Sequence, residues 1–166
     1  MAEKDIQFSG KLKQTGIFDF KKFYKFVYSW LSDSGYAVVE TKYSEKVSNN
    51  TKDIDISWEA SKKISDYFEF KIKLGWTIDH LTNIKVKKEG KEIETNSGNI
   101  GISFKAILVK DYEDRWENAP IWKFLRGVYD RYIIKSRIED YGDKLVGEID
   151  ELIAQCKAFL VLEAKR

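Results

Sequence analysis

The chain has 166 residues, 43% hydrophobic, 34% charged and 14% aromatic, which is the usual size of one folding unit, about 100 to 200 residues. A single Pro and ten Gly exclude collagen-like and linker-dominated architectures, and no apolar run approaches the roughly 20 residues that span a bilayer. The 29 basic and 27 acidic residues leave a net charge of +2, so no global field imposes a nucleic-acid or membrane reading, and a soluble protein is expected.

The opening MAEKDIQFSG is charged and lacks the apolar core of a secretory signal. The one cysteine, Cys156, has no partner for an internal disulfide, which fits a reducing compartment; cytoplasm is the expected location. No internal repeat and no Ser, Gly or Pro tract divides the sequence, so residues 1–166 read as a single α+β domain.

Ile6 and Phe8 alternate with polar neighbours and predict a short first strand before Gly10. Asp19 then reads as the N-cap of a helix over 20–34 that carries Phe20, Phe23, Val27, Trp30 and Leu31 at spacings of three and four and stops at Gly35. Tyr24, Phe26 and Tyr28 spread the aromatic surface of that helix beyond the stripe one sheet face would cover. A strand through Tyr36, Val38, Val39 and Thr41 follows, then a polar loop from Ser48 to Thr51.

The clearest strand patterns come next. Ile54, Ile56, Trp58 and Ala60 alternate with Asp53, Asp55, Ser57 and Glu59, the two-residue period of a strand wet on one side. Phe68, Phe70, Ile72, Leu74, Trp76 and Ile78 repeat it, with Glu69, Lys71 and Lys73 opposite. Ile84 and Val86 begin another run, Glu89-Gly90-Lys91 supplies a turn, and Ile93 marks a short return strand ending at the turn signal Asn96-Ser97-Gly98-Asn99. Ile100, Ile102, Phe104, Ala106 and Leu108 share one face of a last strand, while Ile107 and Val109 make its far side apolar too.

Residues 111–120 form a charged connection in which Asn118 can cap and Pro120 can enter the first turn of a helix over about 121–140. Gly142 marks a break or bend. A final helix places Leu145, Ile149, Leu152, Cys156 and Phe159 on a heptad-like stripe, flanked by Ile153 and Leu160, which either closes the core or pairs between subunits.

This order predicts an α+β fold: an antiparallel meander of about five or six strands, with an N-terminal helix and two C-terminal helices packed on one face. The alternative is a helix-grip-like curved sheet with a ligand cavity.

Catalytic constellations are hard to assemble from these residues. One histidine and one cysteine far apart disfavour zinc, and no metal or cofactor is expected. Asp53 with Asp55, and Asp111 with Glu113 and Asp114, read as solvated carboxylates, since no calcium-loop pattern surrounds them. Adjacent strand residues point to opposite faces, so Asp79 does not orient His80 as a base. Cys156 sits on an apolar stripe where thiols are buried and inert. Asn96-Ser97-Gly98-Asn99-Ile100-Gly101 leads into a strand and lacks the Lys-Ser/Thr of a phosphate loop. The expectation is a protein without enzymatic activity.

Binding has more to work with. Twenty-four aromatic residues exceed what one dry sheet face needs, and Tyr, Trp and Arg dominate interface energetics. The leading expectation is therefore a structural or interaction protein that self-associates or docks onto a larger complex through aromatic helical surface, with Phe26, Tyr28, Trp30, Trp116 and Trp122 as anchors. The competing reading is RNA or DNA binding by the basic stretch 115–137. There Lys123, Arg126, Arg131, Lys135 and Arg137 interleave with Trp116, Trp122, Tyr129 and Tyr132. A small-molecule-binding module or a hydrolase ranks below both. The stretches FDFKKFYKFVYSWL and YEDRWENAPIWKFLRGVYDRY are distinctive but carry no signature tied to an activity.

Overall fold

The computed structural model describes residues 3–65, 67–110 and 135–164, together with the helical positions Phe124, Leu125 and Val128. Chain order is β1 (Glu3–Phe18), α1 (Phe20–Asp33), β2 (Ala37–Ser48), β3 (Thr51–Lys63), β4 (Phe68–Lys88), β5 (Lys91–Lys110) and α2 (Lys135–Ala164). The strands make one antiparallel sheet in the order β1-β5-β4-β3-β2. Strands β2 to β5 are a run of hairpins, whereas β1 lies beside the last strand, so the sheet is not a simple meander and β1 and β2 are its edges. Helix α1 is carried on the connection between those two edges.

Local chemistry sets the ends of α1. The Asp19 carboxylate accepts the Lys22 N–H at 3.1 Å, satisfying a donor that the helix itself leaves unpaired. Gly35, at φ +95°, then turns the chain in a conformation that side chains rarely adopt.

Three expectations need correction. First, the N-terminal strand is not a short segment around Ile6 and Phe8: it runs 16 residues to Phe18 and precedes the helix. Second, the runs around 84–86 and 93 are not separate strands. They are the outer parts of β4 and β5, whose pairing resumes at Thr82↔Ser97 after a register shift that follows Asp79↔Asn99. The signal read as a turn at Asn96–Asn99 belongs to this bend. His80 takes φ +55°, and a Cβ on the facing Gly98 would lie 3.0 Å from the Asp79 carbonyl oxygen and 3.1 Å from that of His80. Glycine is there because backbone approaches closely opposite a bulge. Gly16 of β1, at φ +136°, pairs with Gly98 from the other side at the same level.

Third, Gly142 does not break a helix. Helix α2 runs through it without interruption, and Gly142 is buried where a Cβ would meet the Gln7 side-chain oxygen at 2.7 Å. The glycine lets helix and β1 approach. The boundary between the two predicted C-terminal helices is therefore not at Gly142: α2 already begins at Lys135, the described positions Phe124, Leu125 and Val128 of the predicted 121–140 helix are helical, and the rest of it before Lys135, together with the 111–120 connection, lies outside the described residues.

One face of the sheet is dry. Phe23, Val27 and Leu31 of α1, and Leu145, Ile149, Leu152, Cys156 and Leu160 of α2, join the inward side chains of β3, β4 and β5 in a single core. The heptad-like stripe of the last helix thus closes the core. Phe23 sits between the rings of Trp76, at 5.6 Å, and Phe159, at 5.4 Å, while Tyr141 packs on Phe68 at 5.0 Å. Each fully buried large apolar side chain contributes about 1.5–3 kcal/mol. These rings occupy the space in which the curved-sheet alternative would hold a ligand. Ile107 and Val109, on the opposite face, are also buried within the single chain, so they call for no second subunit.

Candidate binding surfaces

Aromatic surface was expected to exceed what one copy could hide, and most of the described rings are in fact accommodated. Phe26 is half-buried, stacked on Phe159 of the same chain at 5.1 Å with 22° between planes. Trp30 is half-buried against the core. Tyr28 alone of the three α1 anchors is well exposed, at 47%, and its edge contact with Trp58 at 6.1 Å places it over β3, at the residue that pairs with Glu40 of β2. Trp116 and Trp122 lie outside the described residues, as do Lys123, Arg126 and Arg131. Lys135 is the first residue of α2, its side chain not described, and Arg137 is exposed one turn into that helix.

The carboxylates and nucleophiles singled out by sequence are dispersed. The His80 backbone N–H donates to Asp53 Oδ1 at 2.9 Å while His80 is itself exposed in the bulge. Asp111, Glu113 and Asp114 are outside the described residues. No group of three or more His, Cys, Asp or Glu side chains placed to hold a metal ion occurs among the described residues. Burial pushes the Cys156 thiol up to about 12, which suppresses the thiolate that nucleophilic chemistry requires.

Two polar clusters fasten helices to the sheet. The Glu40 carboxylate accepts both the Tyr24 hydroxyl at 2.8 Å and the Trp58 indole N–H at 3.2 Å. Burial, reinforced by Glu40, raises Tyr24 to about 12. Glu148 of α2 accepts the Tyr36 hydroxyl at 2.5 Å and pairs with Lys62 at 2.9 Å, and the Lys62 ammonium sits 4.7 Å from the Tyr36 ring centroid. Burial and the Glu148 charge push the Tyr36 phenol well above its ordinary range. Both clusters join partners distant in sequence, and each carboxylate is satisfied, so they serve architecture.

Among the described residues, two open surfaces remain. The first is the β2 edge: apart from half-buried Val38, every residue of the strand is exposed. Val39, Tyr43 and Val47 are exposed by 59%, 51% and 62%. The second is the wet face of the sheet, where a groove of about 800 Å3 crosses the strands and adjoins a smaller one of about 400 Å3. Both are lined by Ser57, Gly75 and Ser103. Register explains the depression. Lys11 pairs with Ser103, Ser103 with Gly75, Gly75 with Ser57 and Ser57 with Lys42, so one row across all five strands has lysine at each end and three small residues between. A Cβ on Gly75 would sit 2.7 Å from Ser103 Oγ, which keeps the floor low.

Sequence reasoning missed this row. Its members were visible as wet-face residues, but they are far apart in the chain and only pairing aligns them. On the same face the Lys71 ammonium, 3.0 Å away, hydrogen-bonds Glu59 and holds its carboxyl below the usual range.

No family model, curated protein or solved structure matches this chain. No described helix is long and apolar enough to cross a membrane.

Proposed function

We propose that this chain is a non-enzymatic interaction protein that self-associates or docks on another protein by accepting a further strand along β2. The observation that carries the reading is the exposure of a 12-residue edge strand that also presents Val39, Tyr43 and Val47. Natural edges are normally blunted by shortness, charge, bulges or cover, because unpaired backbone N–H and C=O groups template association. Lys42, Lys46, Glu45 and a bulge near Thr41 temper this edge, yet its length and apolar side chains remain. Strand addition combines main-chain hydrogen bonds with alternating side-chain contacts, and exposed Tyr28, over the neighbouring strand β3, adds apolar surface one strand in. This relocates the interaction from the helical rings, largely engaged within the chain, to the sheet margin.

Sedimentation of the purified chain at tens of micromolar, with hydrogen exchange read strand by strand and native mass of whatever co-purifies, tests the reading. The expected result is a larger species in which β2 amides are selectively protected, lost in a Tyr43→Lys, Val47→Lys double variant. A monomer with nothing bound and fast-exchanging β2 amides overturns it.

A further inference from the structure

The geometry points to a second site, beside the β2 edge and sharing Lys42 with it: the small-residue groove on the open sheet face binds a chain of phosphate groups. Five lysines line it, Lys11 and Lys13 from β1, Lys42 from β2, Lys73 from β4 and Lys105 from β5. All five are exposed, and none forms an ion pair with another described residue. Three carboxylates share the lining, Asp55 and Asp79 towards one end and Glu59 towards the other, and Glu59 is already engaged by Lys71.

Cross-strand register supplies the argument for an anion. Lys73 and Lys105 are directly paired in the antiparallel ladder, where Cβ atoms stand about 4.5–5.5 Å apart and like charges destabilise one another. Lys73 also faces Glu59 across the ladder and helps to hold that carboxyl low, so Lys105, with Ser9 on its other side, is the less compensated of the two, and an anion beside it removes the repulsion that Glu59 leaves. The next row runs Lys11–Ser103–Gly75–Ser57–Lys42, so its end lysines are separated by four inter-strand spacings of about 4.8 Å, roughly 19 Å. A ligand lying over the serine and glycine floor meets a positive charge at each end and the Lys73–Lys105 pair along its flank.

The floor selects the ligand class. Backbone groups beneath it are consumed by the ladder, so a peptide laid across the strands finds no main-chain partners, and no apolar pocket seats its side chains. Trp76 turns its ring to the dry core, which leaves no ring on the floor to stack a base. What remains is point charge from lysine and the hydroxyls of Ser57 and Thr77, with that of Ser103, which donates to the Gly75 carbonyl at 3.4 Å, beside them. That combination reads phosphates without reading sequence. Single-stranded nucleic acid and inorganic polyphosphate share this chemistry.

Fluorescence anisotropy of the full chain tests the site with three probes: a labelled mixed-sequence oligonucleotide of about 12 nucleotides, long-chain inorganic polyphosphate as competitor, and polyglutamate of matched charge. Expected is phosphate-chain binding at low salt that weakens steeply as salt rises. Lys11→Gln, Lys42→Gln, Lys73→Gln and Lys105→Gln together should weaken it at least tenfold. They should also reduce the logarithmic salt slope by about three, at roughly 0.7 per phosphate contact. Ser103→Leu should weaken binding by filling the floor with every charge kept, whereas Lys21→Gln with Lys25→Gln on α1 should change nothing. Binding of one phosphate probe alone supports the site and identifies its source. Equal binding of polyglutamate, indifference to the quadruple variant, or no binding at low salt overturns it. The four lysines are exposed, so circular dichroism of that variant should match the parent and keep the test decisive if Ser103→Leu misfolds. Lys42→Gln alters β2, so the triple variant Lys11→Gln, Lys73→Gln, Lys105→Gln, which leaves β2 unchanged and should still weaken phosphate-chain binding, reads loss of this site separately from loss of strand addition.

Discussion

The two faces of one sheet are built by alternate residues of the same strands and do opposite work. On β4, Phe70, Ile72, Leu74 and Trp76 point into a core sealed by α1 and α2, while Lys71, Lys73, Gly75 and Thr77 stand on the other side. The dry face is filled by rings at centroid distances near 5 Å; the open face is hollowed by glycine and serine and rimmed by lysine. Stability is concentrated on the first. The second is mostly polar away from Ile107 and Val109, which are buried on it, so less of the fold depends on its middle.

Breaking the dry face should give the largest effect. Phe23→Ala removes a fully buried ring that touches Trp76 and Phe159, and a loss of about 3–5 kcal/mol is expected in urea unfolding. Gly98→Val attacks the bend instead. Its new side chain meets backbone of Asp79, His80 and Leu81 at 3.0–3.1 Å, neither of which yields as a side-chain tip would, so about 1–3 kcal/mol should be lost. Asp19→Ala removes the cap of α1 for about 1 kcal/mol, measured the same way. On the open face, Ser57→Ala should stay within about 0.5 kcal/mol of the parent; a larger loss would show that the groove floor is structural.

Alkaline titration sharpens the contrast further. Tyr24 is raised from its ordinary 10.0 to about 12 in the fold, so the folded chain holds that proton more tightly than the unfolded one. The resulting stability is complete below about pH 10 and is lost as pH climbs towards 12. Tyr24→Phe should therefore make the alkaline limb of a thermal-melting profile less steep, with Tyr36 keeping the rest, while the neutral region changes less. Glu59 acts with the opposite sign: its carboxyl is held low by Lys71, so its share is present above the ordinary carboxylate range and fades as pH falls. Lys71→Gln should weaken that acid-side dependence, leaving the part that Lys73 and Lys4 supply.

Much of the fold could be read from residue order because it depends on local periodicity. The two-residue alternation at Ile54–Ala60 and Phe68–Ile78 identified one dry face, and Asp19 and Gly35 marked both ends of α1. Misreadings occurred where local signals have two causes. Gly98 looks like a turn residue, yet it accommodates a facing bulge. Gly142 looks like a helix break, yet it admits Gln7. The surplus of rings at Phe26 and Trp30 suggested a partner, but Phe159 and the core already supply contacts.

Sequence alone determined the strand and helix types, the wet and dry faces and the scarcity of histidine and cysteine chemistry, since each follows from residue identity and short-range spacing. Tertiary structure decided that β1 lies against β5, that β2 is left as a bare edge, and that Lys11, Ser103, Gly75, Ser57 and Lys42 fall in one row. Those outcomes depend on strand order and register, which are set by packing between distant segments and are written in no single stretch of chain.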